Sequence, residues 1–275
     1  MGSLPLQIEP DPDDPEFASL FVDGLIDGRP YRLLLDTGAA LTWVAADEYT
    51  STLGVVGERL SGGAFGARIT HDLVTLARLT LGPLERANLT VVRFDDPGRP
   101  SLVGMDVLGA TALVVDFDRA EVRFAPGGSL PTTWELRRGP RGQPYVDVQF
   151  PEAIGLACWD TGAAVTQVNS AFVAEHNSLF TPTGTSVGTD STGTSQETPM
   201  YRMASATVGG VRLAAHTVAA APLPQDPMPM DLVLGYPALR QFNWAMDFPH
   251  NRWAATPARS RSSPAPAWTR STPRK

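Results

Sequence analysis

Short apolar runs alternate with turn-forming residues along most of the chain. In the first half these runs end at Gly, Pro, Asp or Asn, which is typical of β-strands bounded by turns. The pattern predicts strands at residues 20–25, 31–35, 41–45, 73–81, 89–94, 112–117 and 121–124. The second half repeats the rhythm and predicts strands at residues 145–150, 154–159, 165–169, 202–208, 211–219, 244–248 and 252–255. Helices are expected to be few and short, at residues 45–50, 105–109, 170–175 and 237–241.

Turn signals and changes in composition divide the chain into lobes. Tight hairpin turns are predicted at Asp27-Gly28 and Gly209-Gly210. Residues 126–143 are rich in Gly, Pro and Arg and are predicted to link two lobes, at residues 1–125 and 144–256. Residues 257–275 are rich in Ser, Pro, Arg and Thr and are expected to form a disordered tail. The sequence therefore predicts an all-β protein of two similar, barrel-like lobes.

The composition of the chain bears on its need for disulfides, its partners and its relation to membranes. A chain of 275 residues can bury a full core without disulfides, and Cys158 is its single cysteine. The net charge of −7 and the pI near 5.1 argue against nucleic acid as a partner. No apolar run approaches the ~18 residues of a membrane span. We expect a soluble, cytoplasmic protein, and a removed signal peptide stays open as an alternative.

One motif occurs twice in the chain. Asp-Thr-Gly-Ala-Ala begins at Asp36 and again at Asp160, each time after an apolar run. Each copy is followed at a distance by an apolar-apolar-Gly element, which ends at Gly104 in the first half and at Gly235 in the second. An Asp-Phe pair then follows each element at the same spacing, at Asp116-Phe117 and Asp247-Phe248. These repeats indicate an internal duplication in which each half carries one Asp.

Two such carboxylates have a specific chemistry if the lobes are related by a pseudo-twofold axis. Asp36 and Asp160 would then meet at the axis, about 3 Å apart, and hold one proton between them. The ionised member could take a proton from a water molecule while the protonated member donates to a scissile carbonyl. A single Asp-Thr-Gly is more often a structural turn, so the prediction depends on the second copy.

The doubled motif and the doubled Gly element resemble those of aspartic proteases of the pepsin and retropepsin group. The resemblance spans roughly residues 19–255, and the Ala after each Asp-Thr-Gly is similar to the retropepsin form, here fused into one chain. It implies that Asp36 and Asp160 form the catalytic dyad and that a peptide binds in an extended conformation. It also implies supporting roles for four motif residues. Thr37 and Thr161 would hydrogen-bond across the axis, and the amides of Gly38 and Gly162 would point at the carboxylates.

The chain departs from the pepsin pattern at the motif itself. Ala39 and Ala163 stand where pepsin-like members have a Ser hydroxyl, so the dyad is expected to titrate at higher pH. Trp159 precedes the second Asp, where it could belong to the core or to a pocket wall.

The resemblance also requires a flap over the cleft. The loop at residues 61–66 is the candidate in the first half, with Gly62, Gly63 and Phe65 as tentative substrate contacts. Residues 188–198 are its counterpart in the second half. For both segments an ordinary loop is the alternative.

Other motifs are weaker. Residues 184–188 match the G-x-S-x-G pattern of serine hydrolases, but no strand-turn-helix context is predicted around them. The four histidines show no ligand spacing, so neither a metal nor a cofactor is expected. The favoured function is a monomeric aspartic endopeptidase. The alternative is a retropepsin-like peptide-binding or self-processing protein that cleaves no external substrate.

Overall fold

The computed structural model describes residues 2–62, 68–96, 98–125, 133–189, 193–223 and 229–259. The first part of the chain is built almost entirely of strands, with one short α-helix and one 3-10 turn at Thr50–Thr52. Its elements are β1 (Gly2–Pro5), β2 (Gln7–Pro10), β3 (Ala18–Ile26), β4 (Arg29–Leu35), β5 (Trp43–Ala45), β6 (Val55–Gly62), β7 (Arg68–Leu81), β8 (Leu84–Phe94), β9 (Leu102–Val103), α1 (Met105–Leu108), β10 (Ala112–Asp116) and β11 (Glu121–Ala125).

The remainder of the chain has the same character. A second 3-10 turn covers Asn177–Leu179. The elements are β12 (Trp134–Glu135), β13 (Arg137–Arg138), β14 (Pro144–Gln149), β15 (Ile154–Trp159), β16 (Thr166–Asn169), α2 (Ser170–Glu175), β17 (Phe180–Thr189), β18 (Ser195–Met203), β19 (Ala206–Val208), β20 (Val211–Leu213), β21 (His216–Ala221), β22 (Leu232–Leu234), α3 (Tyr236–Leu239), β23 (Phe242–Asp247) and β24 (Arg252–Pro257). The prediction of an all-β protein with few, short helices is confirmed.

A three-stranded unit recurs in two of the sheets. In the first half, β4 pairs with β9 in parallel and β9 pairs with β5 antiparallel. In the second half, β15 pairs with β22 in parallel and β22 pairs with β16 antiparallel. The first unit lies in a sheet ordered β2-β3-β4-β9-β5-β8-β7-β6, and the second in a sheet ordered β17-β18-β21-β16-β22-β15-β14-β19-β20. In each unit the strand before Asp-Thr-Gly lies beside the strand of the Gly element.

A third sheet contains strands from both halves. Its order is β1-β11-β10-β23-β24-β12, and the two halves meet where β10 pairs antiparallel with β23. The Asn243 side chain reinforces this junction: its Oδ1 accepts from the Phe117 amide at 2.8 Å and its Nδ2 donates to Asp118 at 2.8 Å. On β23 of this sheet, the centroid of the Trp244 ring lies 5.7 Å from that of Trp159 and 5.8 Å from that of Trp253 on β24.

Several local predictions need correction. The predicted helix at residues 45–50 is wrong, because the Asp47 carboxylate accepts from the Tyr49 and Thr50 amides in a local turn. The predicted strand at 202–208 is two strands, since β18 ends at Met203 and β19 begins at Ala206. The predicted strand at 211–219 is likewise interrupted after Leu213.

Some strands have no counterpart in the sequence prediction. Strands β1, β2, β6, β9, β17 and β22 are not among the predicted strands, nor is most of β18, and the predicted link at 126–143 contains β12 and β13. The predicted tail at residues 257–275 lies outside the described residues from position 260 onward.

Candidate active site

Asp36 and Asp160 occupy matching places, each directly after the strand that leads into its motif. The Asp36 amide donates to the Val103 carbonyl at 3.1 Å, and the Asp160 amide donates to the Leu234 carbonyl at 3.1 Å. These bonds tie each Asp to the neighbouring strand of its Gly element. The two carboxyl groups lie deep in the protein, with part of each residue open to the solvent, and they hydrogen-bond each other. The structure therefore brings the two predicted residues together.

The backbone donors around the pair are unequal. Oδ1 of Asp36 accepts from the Ala39 amide at 2.8 Å. Oδ1 of Asp160 accepts from two amides, Gly162 at 2.8 Å and Gly38 at 3.1 Å. Because amide donors stabilise the ionised form of a carboxyl group, this arrangement favours the negative charge on Asp160.

Each glycine of the motif lies against the carboxylate of the other half. A β-carbon added at Gly38 would stand 2.8 Å from Oδ1 of Asp160, and one added at Gly162 would stand 2.6 Å from Oδ1 of Asp36. Real β-carbons are not found so close to another heavy atom. Glycine is therefore required at both positions for close approach across the junction.

The two threonines of the motif join the halves beneath the carboxylates. Thr37 Oγ1 donates to the Trp159 carbonyl at 2.7 Å and accepts from the Thr161 amide at 3.1 Å. Thr161 Oγ1 accepts from the Thr37 amide at 3.2 Å. Both threonines are buried, so these bonds are shielded from water and hold the two Asp residues in register.

Burial dominates the electrostatics of the pair. It raises the pKa of Asp36, the nearby charge of Asp160 raises it further, and the Ala39 and Gly38 amides oppose this rise. Burial also raises the pKa of Asp160, but the Gly162 and Gly38 amides and the Asp36 hydroxyl oppose this rise. The proton of the pair therefore belongs on Asp36, which donates it to Asp160. Burial is the largest cause of the rise in both pKa values.

A supporting contact in the first half was not predicted from the sequence. The Asp106 carboxylate accepts from the Thr42 amide at 3.0 Å and from Thr42 Oγ1 at 2.8 Å, and Thr42 Oγ1 accepts from the Gly104 amide at 3.1 Å. Thr166 is the matching threonine of the second motif, but among the described residues its buried hydroxyl has no partner. The recurrence of Thr six residues after each Asp was the available signal.

A cleft of about 600 Å³ opens over the carboxyl pair. Its floor includes Asp36 and Asp160, and Leu60, Ser61 and Gly62 of β6 form part of one wall. Gly62, a tentative flap residue, thus lines the cleft. Gly63 and Phe65 lie outside the described residues, as does part of the second candidate flap.

Two further sequence interpretations can now be compared with the structure. Trp159 is fully buried and packs edge-on against Trp244, so it belongs to the core. Residues 184–188 lie within the exposed strand β17, which lacks the turn and helix that a serine nucleophile needs.

The comparison with known families agrees with this geometry. Residues 22–107 match the family model described as aspartyl protease. The match supports an aspartyl protease family, and it includes Asp36 and Gly104 but ends before the second motif. No curated protein matches the chain.

Across the described residues, no group of three or more His, Cys, Asp or Glu side chains could hold a metal ion. In the described part of the chain, no helix combines the length and apolar character needed to cross a bilayer.

Proposed function

We propose that the protein is an aspartic endopeptidase of the single-chain, duplicated retropepsin-like form. The observation that carries this proposal is the hydrogen-bonded pair of Asp36 and Asp160 at the floor of an open cleft. Threonines and glycines from both halves hold the pair from below. The aspartyl protease match in the first half supports the same function.

The unequal donors assign the steps of the reaction. Ionised Asp160 accepts a proton from a water molecule between the carboxyl groups, and the hydroxide oxygen bonds to the carbonyl carbon of the scissile amide. Asp36 donates its proton to the carbonyl oxygen, which gives a neutral tetrahedral diol. Collapse of the diol breaks the C–N bond as Asp160 protonates the amine and Asp36 recovers a proton from the diol. No bond forms between enzyme and substrate.

The cleft suits a peptide in an extended conformation. Strand β6 is the edge of its sheet and borders the cleft, so its free backbone groups can pair with a substrate strand. Main-chain pairing of this kind binds peptides of varied sequence, and the side-chain pockets then provide selectivity.

Cleavage of an unbiased peptide library, read by mass spectrometry, tests the proposal. Asp36→Asn and Asp160→Asn are each expected to lower turnover by at least about a thousandfold, because each removes one half of the acid–base pair. Asp23→Asn, which changes an exposed carboxylate on β3, is the matched control and retains activity.

Three results separate the proposal from its alternatives. Substantial activity in either purified dyad variant contradicts the assignment. Peptide binding without cleavage by the wild type indicates the binding protein. Cleavage confined to the chain itself indicates self-processing.

A further inference from the structure

Apart from the two aspartates, the charged side chains that line the cleft in the described part of the chain are positive, although the protein as a whole is negative. These positive side chains are Arg59, Arg99 and Arg141. The protein as a whole carries a net charge of −7. A cationic lining in an acidic protein concentrates positive potential where the substrate binds.

The three arginines come from separate segments. Arg59 lies on β6, Arg99 precedes β9, and Arg141 lies between β13 and β14. The Arg99 guanidinium is 5.6 Å from the ring centroid of Phe94, which also lines the cleft. Their convergence is therefore a property of the fold and is not visible as a basic run in the sequence.

Arg59 and Arg141 differ from other arginines near the cleft because they form no ion pair within the described ranges. Arg93, close in sequence to Arg99, has a 2.6 Å ion pair with Asp72, and Arg138 donates to two backbone carbonyls. Arg59 and Arg141 both line the cleft, and Arg141 is exposed while Arg59 is partly exposed, so we take both as candidates to contact a ligand there.

The rest of the lining sets the character of the complementary peptide. Trp43, Leu60 and Leu102 give the wall an apolar surface. A guanidinium beside such a surface binds a carboxylate in a two-pronged geometry, while the apolar wall accepts a neighbouring aliphatic or aromatic side chain.

We propose that this cleft selects peptides that carry a carboxylate within a few residues of the scissile bond, bound by Arg59 and Arg141. This inference rests on the proposed function. The carboxylate could belong to an internal Asp or Glu side chain or to the C-terminus of the peptide, because both present the same group to the arginines.

A matched peptide series tests the selection at pH 6, where a Glu side chain is ionised. Each peptide has Glu, Gln or Lys at one position on either side of the scissile bond, with an amidated or a free C-terminus. Solvent-exposed ion pairs each contribute a factor of about two to five, so the best Glu peptide is expected to exceed its Gln partner about tenfold in kcat/KM. The ratio is expected to fall towards one in 1 M salt.

The amidated and free peptides distinguish the source of the carboxylate. An internal Glu preference that persists in amidated peptides identifies a side-chain site. A preference found only with a free C-terminus identifies recognition of the chain end.

Arginine variants assign the effect to the cleft. Arg59→Gln and Arg141→Gln are expected to lower the Glu-to-Gln ratio severalfold each, and Arg59→Glu is expected to favour Lys peptides. Arg212→Gln, which changes an exposed arginine on β20, is the control and keeps the wild-type ratio. An equal loss on all peptides in the cleft variants would contradict a role in selection.

A binding measurement separates this inference from the proposed function. Fluorescence anisotropy with Asp36→Asn compares labelled Glu and Gln peptides without turnover, and tighter binding of the Glu peptide is expected. Cleavage without any Glu preference overturns the selection and leaves the peptidase intact. Preferential binding of Glu peptides by a wild type that cleaves none overturns the peptidase and leaves the selection intact.

Discussion

At the scale of single residues, the position of one proton distinguishes the two carboxyl groups. Asp160 accepts from two backbone amides and Asp36 accepts from one. A nearly symmetric motif thus produces an unsymmetric pair, because Gly38 donates across the junction while the matching Gly162 donates within its own motif. In the proposed reaction, this asymmetry gives Asp36 the acid role and Asp160 the base role.

The raised pKa of Asp36 has a consequence for stability. Between the unfolded value of 3.8 and the higher folded pKa, the folded protein binds more protons than the unfolded chain, so its stability falls as pH rises. The Asp36→Asn variant has no titratable carboxyl group at this position, so this decrease in stability with rising pH is absent from it. A tenfold difference in proton affinity between the folded and unfolded states corresponds to about 1.4 kcal/mol, or roughly 3–5 °C in Tm for a protein of this size.

Thermal unfolding from pH 4 to pH 7 measures the effect. The Tm of Asp36→Asn relative to wild type is expected to rise with pH. A difference for Asp36→Asn that stayed constant or fell with pH would contradict burial as the dominant influence.

The threonine hydrogen bonds predict an unequal pair of variants. Thr37→Val leaves the Trp159 carbonyl and the Thr161 amide without their partner and removes the acceptor of a 3.4 Å bond from Thr161 Oγ1. Thr161→Val leaves one backbone group, the Thr37 amide, without its partner and removes the donor of that same hydroxyl–hydroxyl bond. A buried polar group without a hydrogen bond costs about 1–3 kcal/mol. Thr37→Val is therefore expected to lower the free energy of unfolding by about 2–5 kcal/mol, and Thr161→Val by about half as much.

Chemical denaturation of the two variants checks this order. Thr181→Val, at an exposed position of β17, is the control and is expected to change stability little. Equal losses at Thr37 and Thr161 would show that the two hydroxyls contribute equally to stability.

At the scale of elements, sequence prediction succeeded where strands bury a regular apolar pattern. Strand β15 was predicted with the same bounds that the structure shows, since Ala157, Cys158 and Trp159 are all buried. Strand β6 was missed because it has no buried residue, with Val55, Val56 and Leu60 all more than half exposed. Strand β1 was missed because it pairs with β11, more than a hundred residues away.

The residues of the candidate site also divide into some that the sequence predicts and others that it does not. The motif residues were predicted because the motif occurs twice in the chain, which led to the expectation that its two copies share one site. Asp106 was missed because the second half has Pro237 at the matching place. The cleft arginines were missed because their convergence depends on three distant segments.

Strand β6 supplies a prediction at this scale. As an edge strand it has backbone amides free for a substrate, so a peptide mimic with a hydroxyl at the scissile position is expected to slow hydrogen exchange in Val55–Gly62. Mass spectrometry of deuterium uptake measures this, with the remote edge strand β20 as an internal control. Equal slowing in both strands would indicate general stabilisation instead of contact.

At the scale of the whole molecule, one chain supplies both carboxyl groups. The third sheet and the Asn243 bridge join the halves within that chain. Specific activity is therefore expected to stay constant on dilution through the micromolar and nanomolar range. Activity assays alongside sedimentation check this, and a steep loss that followed dissociation of a dimer would contradict it.

The shared sheet also determines when the molecule can become active during synthesis. The ribosome releases the first half ahead of the second, so strand β10 emerges with one edge open until Phe242–Asp247 appears. Thr37 gains its Trp159 carbonyl and Asp36 its partner carboxylate only when the second half has emerged and folded against the first. In the proposed peptidase, hydrolysis by a nascent chain must therefore wait until the residues of β23, Phe242–Asp247, have left the ribosome and paired with β10.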